Sequence, residues 1–197
     1  MTFAWAIALG FALGLRHATD ADHVVAIGTL LHREPSPAHA ARLAAFWGLG
    51  HSLTFVALGL AIVVGGVHLP ARFERVAELS VAVMLLALGA WTLHRVRRPM
   101  VDVPRWRPVL VGIVHGLGGS AGVALIALTT VPSRGGALAY LAVFCIGTVA
   151  GMIALTVALS LPFGWTVRRY GAVPRAAIIG AALLSIGFGI ALAVHAA

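Results

Sequence analysis

Residues 14–30 read GLRHATDADHVVAIGTL, and this stretch decides how the chain must fold. Ionisable side chains are costly in apolar surroundings, about 2.5–3.5 kcal/mol for each Asp or Arg at a bilayer centre on insertion scales. Apolar runs flank the stretch on both sides, so a group of such residues here indicates a functional site, and imidazole with carboxylate is a typical ligand set for a divalent metal ion. Five ionisable side chains lie within eight positions: Arg16, His17, Asp20, Asp22 and His23.

The composition identifies the class of protein. Of the 197 residues, 60% are hydrophobic and 10% are charged, with a mean hydropathy of +0.99, whereas soluble domains carry about 25% charged residues. We therefore predict an integral membrane protein. The net charge of +8 comes from fourteen Arg against six acids. Because these Arg residues lie mostly in short loops between apolar runs, they indicate membrane topology and not nucleic-acid binding.

Six hydrophobic runs are long enough to cross a bilayer, which takes about 20 residues each. The runs are continuous and not alternating, so we predict an all-α protein with six transmembrane helices. The first run is too long for one straight span, since a helix from Thr2 to Leu31 would cover about 45 Å against about 30 Å of hydrocarbon. The polar cluster is the natural place for a break. The runs lie near residues 3–31, 43–66, 76–94, 109–131, 137–161 and 176–195.

The distribution of Arg predicts the orientation in the membrane. The loops after the first, third and fifth runs hold ten Arg residues, whereas the opposite side holds Arg72, Arg75 and Arg134. Cytoplasmic loops are enriched in Arg and Lys, so both termini are predicted to lie outside the cytoplasmic membrane. The N-terminal run has no positively charged region before it and is interpreted as a retained span.

An internal repeat supports a transporter architecture. Residues 14–30 align with GIVHGLGGSAGVALIAL at 112–128, which pairs His17 with His115. Two further pairs align in the same order: FWGLG (46–50) with VFCIG (143–147), and, more loosely, ALGAW (87–91) with GFGIA (187–191).

Each repeat unit holds three apolar runs, so the second unit must be inverted relative to the first. We predict a single transmembrane domain over residues 1–197, with repeat one at about 3–94 and repeat two at about 109–195. Inverted repeats are typical of transporters, whose substrate site lies near the midplane where the repeats meet.

The polar residues of the first run can be arranged in two ways. On a regular helix His17, Asp20 and His23 share an arc of about 120°, and Asp22 points away from it. A local unwinding would instead bring Asp22 round to both histidines, and the sequence does not decide between the two. Imidazole and carboxylate suit Ni²⁺, Co²⁺, Zn²⁺ or Mn²⁺, whereas copper(I) prefers sulfur ligands.

Two histidines in other runs are candidate ligands, because ionisable side chains within spans mostly face the bundle interior or an aqueous path. They are His51 in the second run and His115 in the fourth. Each is alternatively a buried, hydrogen-bonded histidine. Asp20 is a candidate ligand or an ion-pair partner of Arg16, and both residues are expected to tune the charge and protonation of the site. A carboxylate that is not a ligand can instead orient a ligating imidazole through its other ring nitrogen. The Trp residues are mostly assigned to the membrane interfaces, and glycines spaced by four to close helix packing.

Residues 16–23, Arg-His-Ala-Thr-Asp-Ala-Asp-His, match the His-x4-Asp-His signature of the nickel/cobalt transporter (NiCoT) family, which the chain resembles here. Residues 49–52, LGHS, resemble the second signature of that family. The resemblance implies that the first motif lies in a transmembrane helix and recognises the metal. It implies His17, Asp22 and His23 as core ligands.

The chain departs from the typical family member in two respects. Typical members have eight spans with the motif in the second, whereas this chain has six runs and carries the motif in the first. The acidic signature Phe-Asp-Thr-Ala-Thr-Glu is absent, and HGLGGS at 115–120 stands in the corresponding half. That sequence is closer to short relatives known as urease-accessory transporters. The choice between Ni²⁺ and Co²⁺ and the direction of transport stay open at this point.

We therefore predict a secondary transporter of Ni²⁺ or Co²⁺, with uptake as the expected direction, no prosthetic group and no enzymatic activity. Expected partners are the metal ion, membrane lipid, and a second copy of the chain or metallocentre-assembly proteins, without nucleic acid. The alternatives are a metal or anion exporter, a non-transporting accessory protein, and an intramembrane metalloenzyme that activates water. The predicted metal-site residues are His17, Asp20, Asp22, His23, His51 and His115.

Overall fold

The computed structural model describes residues 3–31, 36–96, 104, 106–118, 128–170 and 175–196, and all regular structure in these ranges is helical. Four helices are long and apolar enough to cross a membrane: α3, α4 from Arg72, α6 and α7. The predicted all-α, multi-pass class of protein is confirmed. The helices in chain order are α1 (Phe3–His17), α2 (Ala21–Leu31), α3 (Pro37–Val63), α4 (Ala71–Arg95), α5 (Trp106–His115), α6 (Arg134–Tyr170) and α7 (Arg175–Ala196).

The first apolar run is broken at the polar cluster. α1 ends at His17, and a turn leads into α2 at Ala21. In this turn the backbone N–H of Thr19 donates to the carbonyl of Arg16 at 2.9 Å, and the Thr19 hydroxyl donates to the same carbonyl at 2.6 Å. Such local side-chain bonds compete with regular helix formation. The break puts His17 at the end of one helix and Asp22 in the first turn of the next.

Glycines bring α1 and α6 into backbone contact. A Cβ added to Gly14 would overlap the carbonyl oxygen of Phe144, and a Cβ on Gly147 would overlap that of Phe11. Further along both helices, a Cβ on Gly151 would meet Leu15, so the two helices run parallel. The predicted role of these small residues in close helix packing is confirmed.

The pair α3 and α5 is packed in the same way. A Cβ on Gly50 would overlap the carbonyl oxygen of Val109, and a Cβ on Gly112 would overlap that of Trp47. Gly116 lies against Thr54, so α3 and α5 are also parallel.

Two other helix pairs are antiparallel. Gly48 packs on Met152 and Gly59 on Leu141, so α3 and α6 run in opposite directions. In the pair α4 and α7, a Cβ on Gly89 would overlap the carbonyl of Ala182, and one on Gly189 would overlap that of Ala82. α1 and α5 therefore also run in opposite directions, because each is parallel to one member of the antiparallel pair α3 and α6.

Among the described residues, most of the buried apolar side chains belong to two groups. The Trp47 cluster consists of Ala18, Ala26, Ile27, Leu31, Ala40, Trp47, Val81, Met84, Leu85 and Met152. The Phe144 cluster consists of Phe55, Leu128, Ala137, Tyr140, Leu141, Phe144 and Cys145. On α3, Trp47 precedes His51 by about one helical turn and Phe55 follows it by about one turn. His51 therefore lies between the two clusters.

Several helix boundaries differ from the expected spans. α3 begins at Pro37 and α6 continues to Tyr170, beyond the expected spans 43–66 and 137–161. A 37-residue helix is about 55 Å long, which exceeds the hydrocarbon thickness. Helices can extend into the polar headgroup region, where charged side chains near the helix end reach water. Residues 119–127 of the fourth expected span lie outside the described residues.

Candidate metal site

His17 and His51 meet where α1 ends against α3. Their Nε2 atoms lie 3.0 Å apart, and Nδ1 of His17 lies 3.0 Å from Oδ2 of Asp20. Both imidazoles are buried, whereas Asp20 is 30% exposed and Arg16 is exposed. A carboxylate on Nδ1 fixes the tautomer of a ligating histidine and leaves Nε2 for the metal. This geometry favours orientation of His17 by Asp20.

Asp22 links α2 to α5. Its Oδ1 accepts the backbone N–H of His23 at 2.8 Å and lies 3.1 Å from Nδ1 of the same residue, while its Oδ2 lies 3.1 Å from Nε2 of His115. The break between α1 and α2 has turned this carboxylate into the interior, where it is 6% exposed. The chain is unwound before Asp22, and the carboxylate joins His23 and His115, whereas His17 belongs to a different set of ligand atoms. The first turn of α2 is also a favourable place for a carboxylate, because of the helix dipole.

The four imidazoles form one buried group supplied by four helices. The ring of His23 lies 4.7 Å from that of His17, 5.3 Å from that of His51 and 4.2 Å from that of His115, measured between centroids. The rings of His51 and His115 are 5.9 Å apart. Histidines distant in the sequence thus lie close together, with His23 at the centre.

Two sets of ligand atoms are close enough to hold an ion. Atoms of His17, His23 and His51 lie within 4.8 Å of one another, and so do atoms of Asp22, His23 and His115. His23 belongs to both sets. The predicted core ligands His17 and Asp22 fall into different sets, and Asp20 belongs to neither.

Several nitrogen atoms at the site have unused hydrogen-bonding capacity. Among the described residues, His23 Nε2, His51 Nδ1 and His115 Nδ1 are buried without a hydrogen-bond partner. An unsatisfied buried polar atom costs about 1–3 kcal/mol, and such atoms are rare in native proteins unless an ion, a ligand or water serves them. A divalent cation would use these atoms and would also compensate the buried negative charge of Asp22.

Aromatic side chains cover the imidazoles on two sides. The ring of Trp47 lies 5.4 Å from that of His23 and 5.5 Å from that of His115. The ring of Phe144 lies 5.6 Å from that of His17 and stacks on Phe55 at 4.5 Å. The polar group is thus enclosed between the Trp47 cluster and the Phe144 cluster.

Comparison with known proteins identifies the family of the chain. The model of the NicO family, described as a high-affinity nickel-transport protein, matches residues 3–102. The chain belongs to the NicO family. The matched segment contains α1 to α4 and therefore His17, Asp22, His23 and His51, whereas His115 lies beyond it. Membership in NicO confirms the expected likeness to nickel transporters and the expectation of a transporter, not an enzyme.

The match to one relative covers more of this NicO chain than the family model does. This chain is 27% identical over 181 residues to the urease accessory protein UreH of Bacillus sp. (strain TB-90). The match spans 83% of this chain and 79% of that protein. This relative agrees with the expected likeness to short urease-accessory proteins. No solved structure matches the chain significantly.

Two aromatic residues lie at the site of this NicO protein although the sequence does not predict them there. The sequence assigns Trp47 to the membrane interface with the other tryptophans, but its side chain is fully buried against His23 and His115. Phe144 is one of many apolar residues in its run. The signal that would have found them is the alignment of residues 46–50 with 143–147, which pairs Trp47 with Phe144.

Proposed function

We propose that the chain is a secondary transporter that takes up Ni²⁺, with Co²⁺ as the alternative ion, across the cytoplasmic membrane. The observation that carries the proposal is the buried group of four imidazoles and the Asp22 carboxylate, enclosed between two apolar clusters in a chain of the NicO family. Such a group has little stabilising value in a membrane protein unless it binds an ion.

The ligands of the proposed site are His17, Asp22, His23, His51 and His115. Two nitrogen ligands about 2.1 Å from one ion and at right angles to each other lie about 3 Å apart. The Nε2 atoms of His17 and His51 already have this separation, 3.0 Å. Ni²⁺ accepts nitrogen and oxygen ligands in tetragonal geometry, which agrees with an imidazole-rich set.

The lengths of the helices are best explained by six membrane spans. α1 and α2, with 15 and 11 residues, are each too short to cross a bilayer and together form one broken span. α5, with 10 residues, is also too short to cross a bilayer alone, and a turn follows its last residue, His115. α3, α4, α6 and α7 complete the set. Broken helices are a common way to build ion sites in transporters, because their free ends supply polar groups at the midplane.

An inverted repeat of three spans each explains the paired helix contacts. α1, α3 and α4 each run opposite to their counterparts α5, α6 and α7. The contacts are reciprocal as well: Gly14 packs on the carbonyl of Phe144, and its aligned counterpart Gly112 packs on that of Trp47, the residue aligned with Phe144. Gly89 and Gly189 exchange equivalent contacts between α4 and α7. These relationships support repeat one at about 3–94 and repeat two at about 109–195.

The charge distribution supports the proposed orientation. One end of the bundle contains the first residues of α3, α5 and α7 and the last residues of α4 and α6. Excess Arg marks the cytoplasmic side, so the beginning of α1 and the end of α7 face outward. The described Arg residues at the first end are Arg42, Arg95, Arg107, Arg168, Arg169 and Arg175, against Arg72, Arg75 and Arg134 at the other.

Transport requires the hydrated ion to exchange water for imidazole and carboxylate at the site, and then to leave on the other side. Rocking of the two repeats would open one apolar cluster while the other stays closed. A divalent cation that moves to a negative interior gains about 5 kcal/mol per 100 mV, so the membrane potential suffices to drive uptake.

Uptake of radioactive nickel into proteoliposomes with an inside-negative potential tests the proposal. Wild type should show saturable uptake that excess Co²⁺ inhibits, and His17→Ala should reduce it to background. His195→Ala is the matched control, because His195 is exposed at the end of α7 and should transport as wild type does. Wild-type vesicles that take up no more nickel than empty vesicles would contradict the proposal.

A second candidate function is an accessory role without transport. The match to a urease accessory protein favours it, because delivery of metal to an enzyme under assembly needs a binding site but no passage through the membrane. In that case the purified protein would bind nickel in a His17-dependent manner, while the proteoliposomes would show no uptake.

A further inference from the structure

We infer that the buried group contains two overlapping metal subsites that share His23, and that the ion passes from one to the other in each transport cycle. The inference rests on the proposed transport function and deepens it. The first subsite consists of His17, His23 and His51, and the second of Asp22, His23 and His115.

The two subsites differ in chemistry. The first offers three imidazoles and no carboxylate, with His17 oriented by Asp20 from outside the ligand set. The second offers two imidazoles and the Asp22 carboxylate. The net charge of a divalent ion and its neutral ligands is therefore +2 in the first subsite. In the second subsite the Asp22 carboxylate lowers this net charge to +1.

The subsites lie towards opposite apolar clusters. In the first, His17 packs on Phe144, which stacks on Phe55 in the Phe144 cluster. In the second, His115 packs on Trp47 in the Trp47 cluster. Trp47 and Phe55 are eight positions apart on α3, about 12 Å along the helix axis. Each subsite thus lies next to a different apolar cluster.

His23 connects the two subsites. Its Nδ1 atom lies 3.1 Å from Asp22, and its Nε2 atom has no hydrogen-bond partner among the described residues. One nitrogen can thus serve the second subsite while the other stays available to the first. Two divalent ions would repel each other strongly at the separation of these rings. This repulsion favours one ion at a time, and because the two subsites adjoin at His23 the ion can exchange its ligands one by one.

The alignment of the repeats explains why there are two subsites. His17 and His115 are aligned, and so are the residues that cover them, Phe144 and Trp47. Each histidine contacts the covering residue of the other repeat. A rocking motion that separates His17 from Phe144 would bring His115 and Trp47 together, and the reverse motion would do the opposite. The ion is then held by the first subsite in one state and by the second subsite in the other.

The test measures nickel binding and the ligand set in the purified full-length protein, beside uptake in proteoliposomes. Wild type should bind one Ni²⁺ per chain. His51→Ala and His115→Ala each leave one subsite intact, so both should still bind one Ni²⁺ per chain while uptake falls to background. His23→Ala removes a ligand from both subsites and should lose binding.

X-ray absorption of the nickel-loaded variants identifies the subsite that is occupied. The His115→Ala protein should show three imidazole ligands, and the His51→Ala protein two imidazoles with a carboxylate. Asp22→Asn should keep binding through the three imidazoles and lose uptake. His51→Gln and His115→Gln preserve side-chain volume and repeat the comparison if an alanine variant fails to fold, and His94→Ala, exposed at the end of α4, is the control.

A single site made by all ligands predicts a different result. His51→Ala and His115→Ala would then each lack one imidazole relative to wild type and show the same number of imidazole ligands, or both would lose binding together with His23→Ala. Either result would overturn the two subsites while leaving the transport proposal intact. Failure of wild type to take up nickel would instead contradict the transport function itself.

Discussion

The Nε2 atoms of His17 and His51 lie 3.0 Å apart although 34 residues separate them in the chain. Nδ1 of His17 also lies 3.0 Å from Oδ2 of Asp20, so Nδ1–H donates to the Asp20 carboxylate and Nε2 keeps its lone pair. His51 then donates its own Nε2–H across the gap. At the proposed metal site we therefore expect Asp20 to determine which nitrogen His17 presents, without being a ligand itself.

Loss of the Asp20 carboxylate should therefore impair transport without abolishing it. We expect Asp20→Asn to lower nickel affinity or uptake about 10–100-fold, as outer carboxylates of metal sites commonly do. Asp20→Glu should recover part of the activity, because a carboxylate is restored. Initial uptake rates over a range of nickel concentrations separate the effect on affinity from that on maximal rate.

The matched control is Arg16→Gln, four positions before Asp20 on the exposed side of α1. If Arg16 and Asp20 acted only as an ion pair, both substitutions would reduce uptake equally. A much smaller effect of Arg16→Gln would support orientation of His17 by Asp20.

Gly112 should tolerate no side chain. A Cβ there would overlap the carbonyl of Trp47, and backbone atoms cannot give way cheaply. We expect Gly112→Ala to destabilise the protein by about 1–3 kcal/mol or more, in the range of overpacked cores. Gly14→Ala should behave alike, because its Cβ would overlap the carbonyl of Phe144. Thermal unfolding in detergent measures both.

Gly180 supplies the control for these glycine variants. It is helical, and among the described residues no atom outside its own helical turn lies within 4 Å of the position of its Cβ. Gly180→Ala should be neutral or stabilise by up to about 1 kcal/mol, since alanine favours the helix. Equal effects of Gly112→Ala and Gly180→Ala would mean that α3 and α5 are not in backbone contact.

The metal-site candidates were accessible from the sequence because ionisable groups stand out in apolar runs. His51 and His115 were found in this way although neither neighbours the first motif, and both lie in the buried group. The position of Asp22 could not be deduced, because a helical wheel assumes a regular helix and the chain breaks before this residue. Whether a helix breaks depends on local bonds such as that of Thr19 to the carbonyl of Arg16, which compete closely with helix formation.

Helix ends and aromatic contacts were harder to predict. α6 continues through Arg168 and Arg169, because a helix does not need to end where the hydrocarbon ends. Trp47 has the same residue type as the exposed Trp91 and Trp106, and hydropathy cannot distinguish them. Only the tertiary contact with His23 and His115 gives Trp47 its place at the site.

The indole N–H of Trp47 is buried without a partner among the described residues, and so is the hydroxyl of Tyr140. Removal of an unsatisfied polar atom breaks no hydrogen bond, and the folded protein no longer carries the free-energy cost of burying that atom. We therefore expect Tyr140→Phe to be neutral or to stabilise the protein in thermal unfolding. Trp47→Ala, by contrast, empties a core position and should cost about 3–5 kcal/mol, while Trp47→Phe should cost much less.

These variants also test the role of Trp47 at the site. Trp47→Phe keeps an aromatic ring beside His23 and His115 and should retain nickel uptake. A marked fall in the melting temperature of Tyr140→Phe would show that its hydroxyl has a partner, contrary to the contacts seen here.

The proposed orientation can be tested by labelling single cysteines in intact cells. Cys145 is buried and is first replaced in a Cys145→Ser background. His68 is exposed between α3 and α4, and His94 is exposed at the opposite end of α4. With excess Arg on the cytoplasmic side, His68→Cys should react with a membrane-impermeant maleimide from outside. His94→Cys should react only after the cells are permeabilised, and the reverse pattern would place the beginning of α1 in the cytoplasm.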